Sequence, residues 1–201
     1  MSADSTPKQS RSEQTRAKLM DATIESLAEC GYAGTSTQEV CRRAGVSRGT
    51  MLHHFPNRNA LLLAALDSIL AERVARFVAS RQGQSPLQPT ALVQQLWAEW
   101  QGPVYVAWLE LAVAARTDPQ LREPMRALMT RFDNEVRSAF MALVDLRHVP
   151  PALAEVLPSL VFSIFNGLAV GASYERPGQS DPVIALVEQL GRILPALGGS
   201  S

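Results

Sequence analysis

Twenty residues near the N-terminus restrict the fold more than any other feature of the chain. Ser36 to Phe55 reads STQEVCRRAGVSRGTMLHHF, two short helical patterns on either side of a tight turn. Ser36 and Glu39 have the spacing of a capping box, in which each side chain satisfies a backbone amide of the other residue. Val40 and Ala44 fall at i and i+4, on one helix face. Gly45 then permits a left-handed backbone that ends the helix. Val46 can plug the core, and Ser47 can cap a further short helix running to about Phe55. A helix, a short Gly-containing turn and a second short helix make a helix-turn-helix.

Two chemical readings of the same stretch compete with this one. Gly45 to Gly49 matches G-x-S-x-G, the pattern of a hydrolase nucleophile elbow. That elbow needs a strand before its Ser, whereas STQEVCRRA reads as a capped helix. The late histidine such a Ser would need is His148 alone, beside the Pro150-Pro151 break. A metal site at His53 and His54 is also disfavoured. Adjacent residues on a helix point about 100° apart, so they cannot chelate as an i, i+4 pair could. Cys41 is a further donor nearby, but no acid joins it. No metal, cofactor or catalytic constellation is expected, so the chain does not read as an enzyme. An all-helical enzyme or interaction module that keeps the head as scaffold stays open as the alternative.

Charge adds direction. The chain carries 19 Lys+Arg against 19 Asp+Glu, so any nucleic-acid binding must come from a local patch. From Val40 to Leu66 there are Arg42, Arg43, Arg48 and Arg58 and no acid. This basic segment suits a phosphate partner, or is a solvated Arg face. Cys30 and Cys41 lack motif spacing, so a reducing interior without disulfides is expected. The polar N-terminus has no apolar h-region of a signal peptide. Acids, Pro or Gly break the apolar stretches before about 20 residues, so no membrane span is expected and the location is cytoplasmic.

Helical periodicity continues along the rest of the chain, with no alternating strand pattern. The expected class is all-α, with about nine helices. A helix from about Ser12 to Cys30 places Met20, Ile24, Leu27 and Ala28 on one face and stops at Gly31. After Pro56 a long helix has Leu61, Leu62, Ala65, Ile69 and Val74 as candidate core positions. The expected organisation is a tail at 1–10, a helix-turn-helix domain at 11–57, a helical body at 58–197 and a tail at 198–201.

From residue 12 to residue 62 the chain resembles the N-terminal domain of the TetR family of transcriptional regulators. The match runs through G-Y-x-G-T-S, A-G-V-S-x-G-T and H-H-F-P-N-R-x-A-L-L in order. The resemblance implies a homodimer on a pseudo-palindromic double-stranded DNA operator, most often a repressor released by a small molecule; activation, or regulation without ligand, stays open. The second helix would enter the major groove N-terminus first. Base contacts would fall to Gln38, Arg48, Thr50 and His53, with Gly49 letting the backbone come close. Phosphate contacts would fall to Ser36, Thr37, His54 and Arg58. One position departs: Leu52 stands where the family commonly has Tyr, and Leu cannot donate a hydrogen bond.

The resemblance also assigns roles in the body. Trp97, Trp100, Tyr105 and Trp108 cluster around the Gly102-Pro103 break, with Phe132 and Phe140 on the next long helix. They would line a pocket for a hydrophobic or aromatic ligand, with Tyr105, Glu110 or Arg116 as polar handles, or simply form the core. The last two long helices would form the dimer interface. Leu160, Ile164, Leu168, Leu186 and Leu190 would supply the apolar stripes, and Gly167 and Gly171 a close approach.

Overall fold

The computed structural model describes residues 7–85, 89–146, 149–172, 182–187 and 189. Every regular element among them is an α-helix. They are α1 (Pro7–Gly34), α2 (Thr37–Ala44), α3 (Arg48–His54), α4 (Arg58–Ser80), α5 (Pro89–Trp100), α6 (Pro103–Thr117), α7 (Pro119–Leu143) and α8 (Pro151–Ala172). Helical residues return at 182–187. The all-α class and the N-terminal helix-turn-helix head are as expected.

Prolines and glycines set most of the boundaries. Pro7, Pro89, Pro103, Pro119 and Pro151 each open a helix, where the missing N–H would have no intrahelical partner anyway. α1 begins at Pro7, inside the segment 1–10 expected as a tail. Asp118 caps α7 by accepting the Gln120 amide at 2.8 Å. Gly31 stops the regular part of α1 with φ 68° and ψ 179°, a backbone region essentially restricted to glycine. The Thr35 hydroxyl donates to the Gly31 carbonyl and accepts from Ser26, so the buried polar groups of this corner satisfy one another.

The chain divides into two compact units, one of residues 1–73 with 103–131 and one of 74–102 with 132–201. The first holds the head. Its core joins Leu19 and Ala22 of α1, Val40 and Cys41 of α2, Met51 and Phe55 of the α3 region and Leu61 of α4. Ala44 and Val46 pack against this cluster, so the turn plugs the core as its composition implies. Leu61 belongs to the head core and α1 packs along α6, so this unit extends past residue 57. Leu62 and Ala65 are buried as expected; Ile69 and Val74 are half-buried, while Leu66 and Leu70 face inward instead.

The second unit has two apolar clusters. Phe140, Val144, Val149, Ala154 and Leu157 form one. Val93, Phe165 and Ile184 form the other, with Trp97, Trp100, Ile164 and Leu168 packed against it. α8 is 22 residues long and apolar enough to cross a membrane by length and composition. Glu155, Pro158 and Gly167 interrupt its apolar run. Pro158 lies within α8 and is buried.

Candidate nucleic-acid interface

The helix-turn-helix is fixed by three local devices. Ser36 Oγ accepts the Glu39 amide at 3.1 Å and caps α2. Gly45 takes the left-handed conformation, φ 66° and ψ 34°, and its N–H returns to the Arg42 and Cys41 carbonyls. Ser47 Oγ accepts the Thr50 amide at 3.1 Å and caps α3. Ser47 is thus a cap, and the G-x-S-x-G match carries no nucleophile geometry. The capping box is only half made. The Ser36 amide donates to Gly34 O, and the Glu39 carboxylate turns to Arg42 and Arg43 instead. Two guanidiniums at i+3 and i+4 outcompete one amide, because charge-assisted bonds are roughly twice as strong as neutral ones.

This turn of Glu39 changes the electrostatics of the head. Arg42 grips both carboxylate oxygens, at 2.7 and 2.8 Å. Arg43 binds Glu39 at 2.6 Å and Glu29 of α1 at 2.7 Å. The hydrogen bonds from Arg42 and Arg43 lower the Glu39 carboxyl to about 2. A depressed carboxylate contributes above its unfolded pKa and loses that contribution only as pH falls through the folded value. The clamp is therefore intact from mildly acidic to alkaline pH. Two of the four arginines in the acid-free window are held by acids from outside it.

Arg58 is engaged too. Its guanidinium donates to Thr35 O at 2.7 Å and to Tyr32 O, and lies 4.1 Å from the centre of the Tyr32 ring. Arg58, expected to contact phosphate, directs two of its donors at backbone carbonyls. Tyr32 is a junction. Its amide donates to Glu110 of α6 at 2.6 Å, and its hydroxyl meets Asp118 at 3.1 Å. Sequence reasoning gave Tyr32 no role, and a long-range junction of this kind has no local pattern to reveal it.

The remaining residues of α3 divide cleanly. Met51 is fully buried and Phe55 nearly so. Arg48, Gly49, Leu52 and His53 are exposed and share the outward face. Arg48 makes no hydrogen bond or ion pair recorded among the described residues. Thr50, expected to touch bases, is half-buried and its hydroxyl lies 2.8 Å from Ser47 Oγ. His54 is half-buried, edge-on to His53 at 5.5 Å. On α2, Ser36 and Gln38 are exposed and Thr37 is half-buried. No group of three metal-binding side chains occurs among the described residues.

The aromatic residues do not form one cluster within either unit. In the first, Tyr105 and Trp108 rings lie 5.5 Å apart, and the Trp108 indole donates to Met129 Sδ at 3.1 Å. Burial pushes the Tyr105 phenol above its ordinary range. Glu110, expected as a ligand handle, accepts the Tyr32 amide instead. Arg116 is exposed. A groove of about 250 Å³ in this unit is lined by Leu63, Asp67, Pro124, Leu128 and Arg131 among others, and by none of the aromatics. In the second unit, Trp97 packs on Phe165 at 5.8 Å and Trp100 on Phe162 at 5.6 Å and Phe165 at 5.4 Å. Phe140 is buried in the other cluster of that unit, and Phe132 is half-buried.

α8 presents two faces. Ala154, Leu157, Phe165, Ala169 and Gly171 are buried. Leu153, Val156, Leu160, Ser163, Gly167 and Val170 are exposed and spaced alternately by three and four residues. Of the expected interface residues, Leu160 and Gly167 lie on this stripe and Leu186 is exposed beyond it. Ile164 and Leu168 are half-buried against the Phe165 cluster, and Gly171 is buried. Leu190 lies outside the described residues. Leu153, Val156 and Val170 were missed, although their 3-4 phase was readable.

Comparison with known proteins agrees with this geometry. Residues 19–65 match the family model for bacterial regulatory proteins of the TetR family. The chain is 30% identical to an uncharacterised HTH-type transcriptional regulator of Mycobacterium tuberculosis, over 81% of this chain and 84% of that one. It is 32% identical to the HTH-type transcriptional regulator CymR of Pseudomonas putida, over 83% of each. Among solved structures it resembles the transcriptional regulator FadR of Bacillus subtilis, crystallised with stearoyl-CoA. The TM-score there is 0.66 at 15% identity, covering 89% of this chain and 97% of that one, a likeness of fold alone. A head matched to the family model and a body matched along most of its length to named regulators place the chain in the TetR family, as a DNA-binding transcriptional regulator.

Proposed function

We propose that the chain is a homodimeric repressor, acting in the cytoplasm, that leaves its operator when a small hydrophobic or aromatic molecule binds the body. In this reading residues 11–57 dock on DNA and residues 58–197 bind the effector and dimerise. The observation that carries the DNA half is the outward face of α3, where Arg48, Gly49, Leu52 and His53 stand exposed on a buried Met51 and Phe55. Gln38, Ser36 and Thr37 at the start of α2 would add contacts at the groove edge. One head reads few base pairs, so two must meet half-sites about one DNA turn apart or a multiple of it.

The α8 stripe supports the dimer. Alternating steps of three and four residues are the pattern of helices packing at a shallow angle. A soluble monomer rarely leaves such a row exposed. Leu160, 52% exposed, sits near its middle. Sedimentation velocity at micromolar concentration should show a dimer for the wild type. Leu160→Glu should shift it to monomer and lower operator affinity at least tenfold. A wild-type monomer, or a Leu160→Glu dimer, would count against the reading.

The effector half rests on Tyr32. α6 holds the Tyr32 amide through Glu110, and the first residue of α4 holds its carbonyl and ring. A shift of α6 can therefore reach the start of α4 through one residue. Ligand and DNA would then be coupled by unequal affinity of the effector for two states. Tyr105 and Trp108 in the first unit, and Trp97, Trp100, Phe132 and Phe140 in the second, are each of a type that suits contact with an apolar or aromatic effector, and FadR, a relative of the fold, was crystallised with stearoyl-CoA. A thermal-shift screen should return stabilisers that also release DNA in a gel shift. If every stabiliser left DNA affinity unchanged, the effector claim would fail.

The Glu39 clamp supports sequence reading over loose phosphate binding. Each cation that neutralises a phosphate steepens the slope of log K against log salt by about 0.9. Glu39→Gln should release Arg42, whose side chain is 68% exposed. Its slope on a random duplex should then steepen by about that amount for each Arg42 that reaches a phosphate. Fluorescence anisotropy over 50–200 mM salt measures it, and an unchanged slope would show that Arg42 cannot reach DNA.

A further inference from the structure

We propose that Leu52 reads the 5-methyl group of a thymine lying at most about two base pairs from a guanine read by Arg48. The inference rests on the proposed docking of α3 in the major groove. Leu52 is 46% exposed, on the outward face of α3. Its neighbours on that face are Arg48 one turn earlier, Gly49 and His53. Gly49 adds no side chain, and a Cβ built there would meet nothing closer than Ser47 Oγ at 3.8 Å. The face is therefore low at Gly49 and rises at Arg48 and Leu52.

The chemistry of the groove then limits what Leu52 can recognise. Major-groove base edges present hydrogen-bond donors and acceptors, and one apolar feature, the thymine methyl. Leucine has no polar atom, so it discriminates only by that methyl. Thr50 carries a methyl too, but it is half-buried with its hydroxyl held at Ser47. Four residues of helix rise about 6 Å, and base pairs stack about 3.4 Å apart. An α3 axis lying in the groove thus sets Arg48 and Leu52 at most about two base pairs apart. Arg48 prefers guanine, whose O6 and N7 accept both arms of its fork.

The test uses the full chain and a random duplex library. Selection with the wild type should enrich half-sites holding guanine and thymine, on either strand, at most about two base pairs apart. Replacing that thymine with deoxyuridine removes only the methyl. It should weaken wild-type binding about fourfold per half-site, the equivalent of about 0.8 kcal/mol for one buried methyl. Leu52→Ala should bind the thymine and uracil duplexes equally. Its thermal melting should match that of the wild type, since the side chain is exposed, and a folded Leu52→Gln gives a second reading. Equal wild-type binding to both duplexes, or undiminished methyl discrimination in either variant, would overturn the proposal. So would a selected motif lacking thymine within that distance, which would still leave DNA reading intact. Enrichment of no motif would instead overturn sequence-specific docking itself.

Discussion

Arg58→Ala is expected to unfold the junction beside the head and to lower the melting temperature by about 6–12 °C. The side chain donates two hydrogen bonds to the Thr35 and Tyr32 carbonyls and covers the Tyr32 ring. Hydrogen bonds from a charged donor contribute about 1.5–3 kcal/mol each, and an unpaired half-buried carbonyl adds a cost when the donor is lost. A loss of about 3 kcal/mol in a chain of this length corresponds to the temperature shift stated. Arg58→Lys should recover little, because one ammonium cannot span two carbonyls and stack on a ring. Differential scanning calorimetry checks both variants. A melting temperature within 2 °C of wild type for Arg58→Ala would show that the guanidinium is free for phosphate after all.

Arg48→Ala is expected to leave stability unchanged and remove most specific binding. Arg48 is exposed, so its loss exposes no core. A bidentate Arg–guanine pair discriminates by about 1–3 kcal/mol. Two copies acting on two half-sites then give at least about 30-fold in affinity. Binding to unrelated duplexes should fall far less, because one phosphate contact at most is lost. The ratio of specific to non-specific affinity is the quantity to report, since either alone varies with salt.

Much of the head was legible in twenty residues because its determinants are local. Ser36 and Ser47 each accept an amide three positions on, and the Gly45 amide donates to carbonyls three and four positions back, so caps and turn follow from spacing. The charge of the head was not legible in the same way. The acid-free window began at Val40, one residue after Glu39, and Glu29 reaches it from α1. A basic segment by composition thus became a set of paired arginines with Arg48 left facing out. The internal partners of Arg58 were hidden for a related reason. Its position suits a phosphate, but the carbonyls that take it are 23 and 26 residues away.

In the second unit the limit was phase. Apolar residues on α8 are frequent enough that identity alone does not tell core from surface. Ile164 and Leu168, expected at the interface, are half-buried against the Phe165 cluster, whereas Leu153, Val156 and Val170 complete the exposed stripe. The aromatic residues were adjacent in sequence, but proximity along the chain placed Trp97 and Trp100 in one compact unit and Tyr105 and Trp108 in the other.

The central claim is that the outward face of α3 reads sequence in DNA. Footprinting on the duplex selected by the wild type, at fixed moderate salt, tests it most directly when wild type and Arg48→Ala are compared side by side. The account predicts two protected half-sites about one helical turn apart, or a multiple of it, for the wild type. It predicts loss of both for Arg48→Ala at the same concentration, with melting temperature unchanged. Equal protection by the two proteins would contradict it.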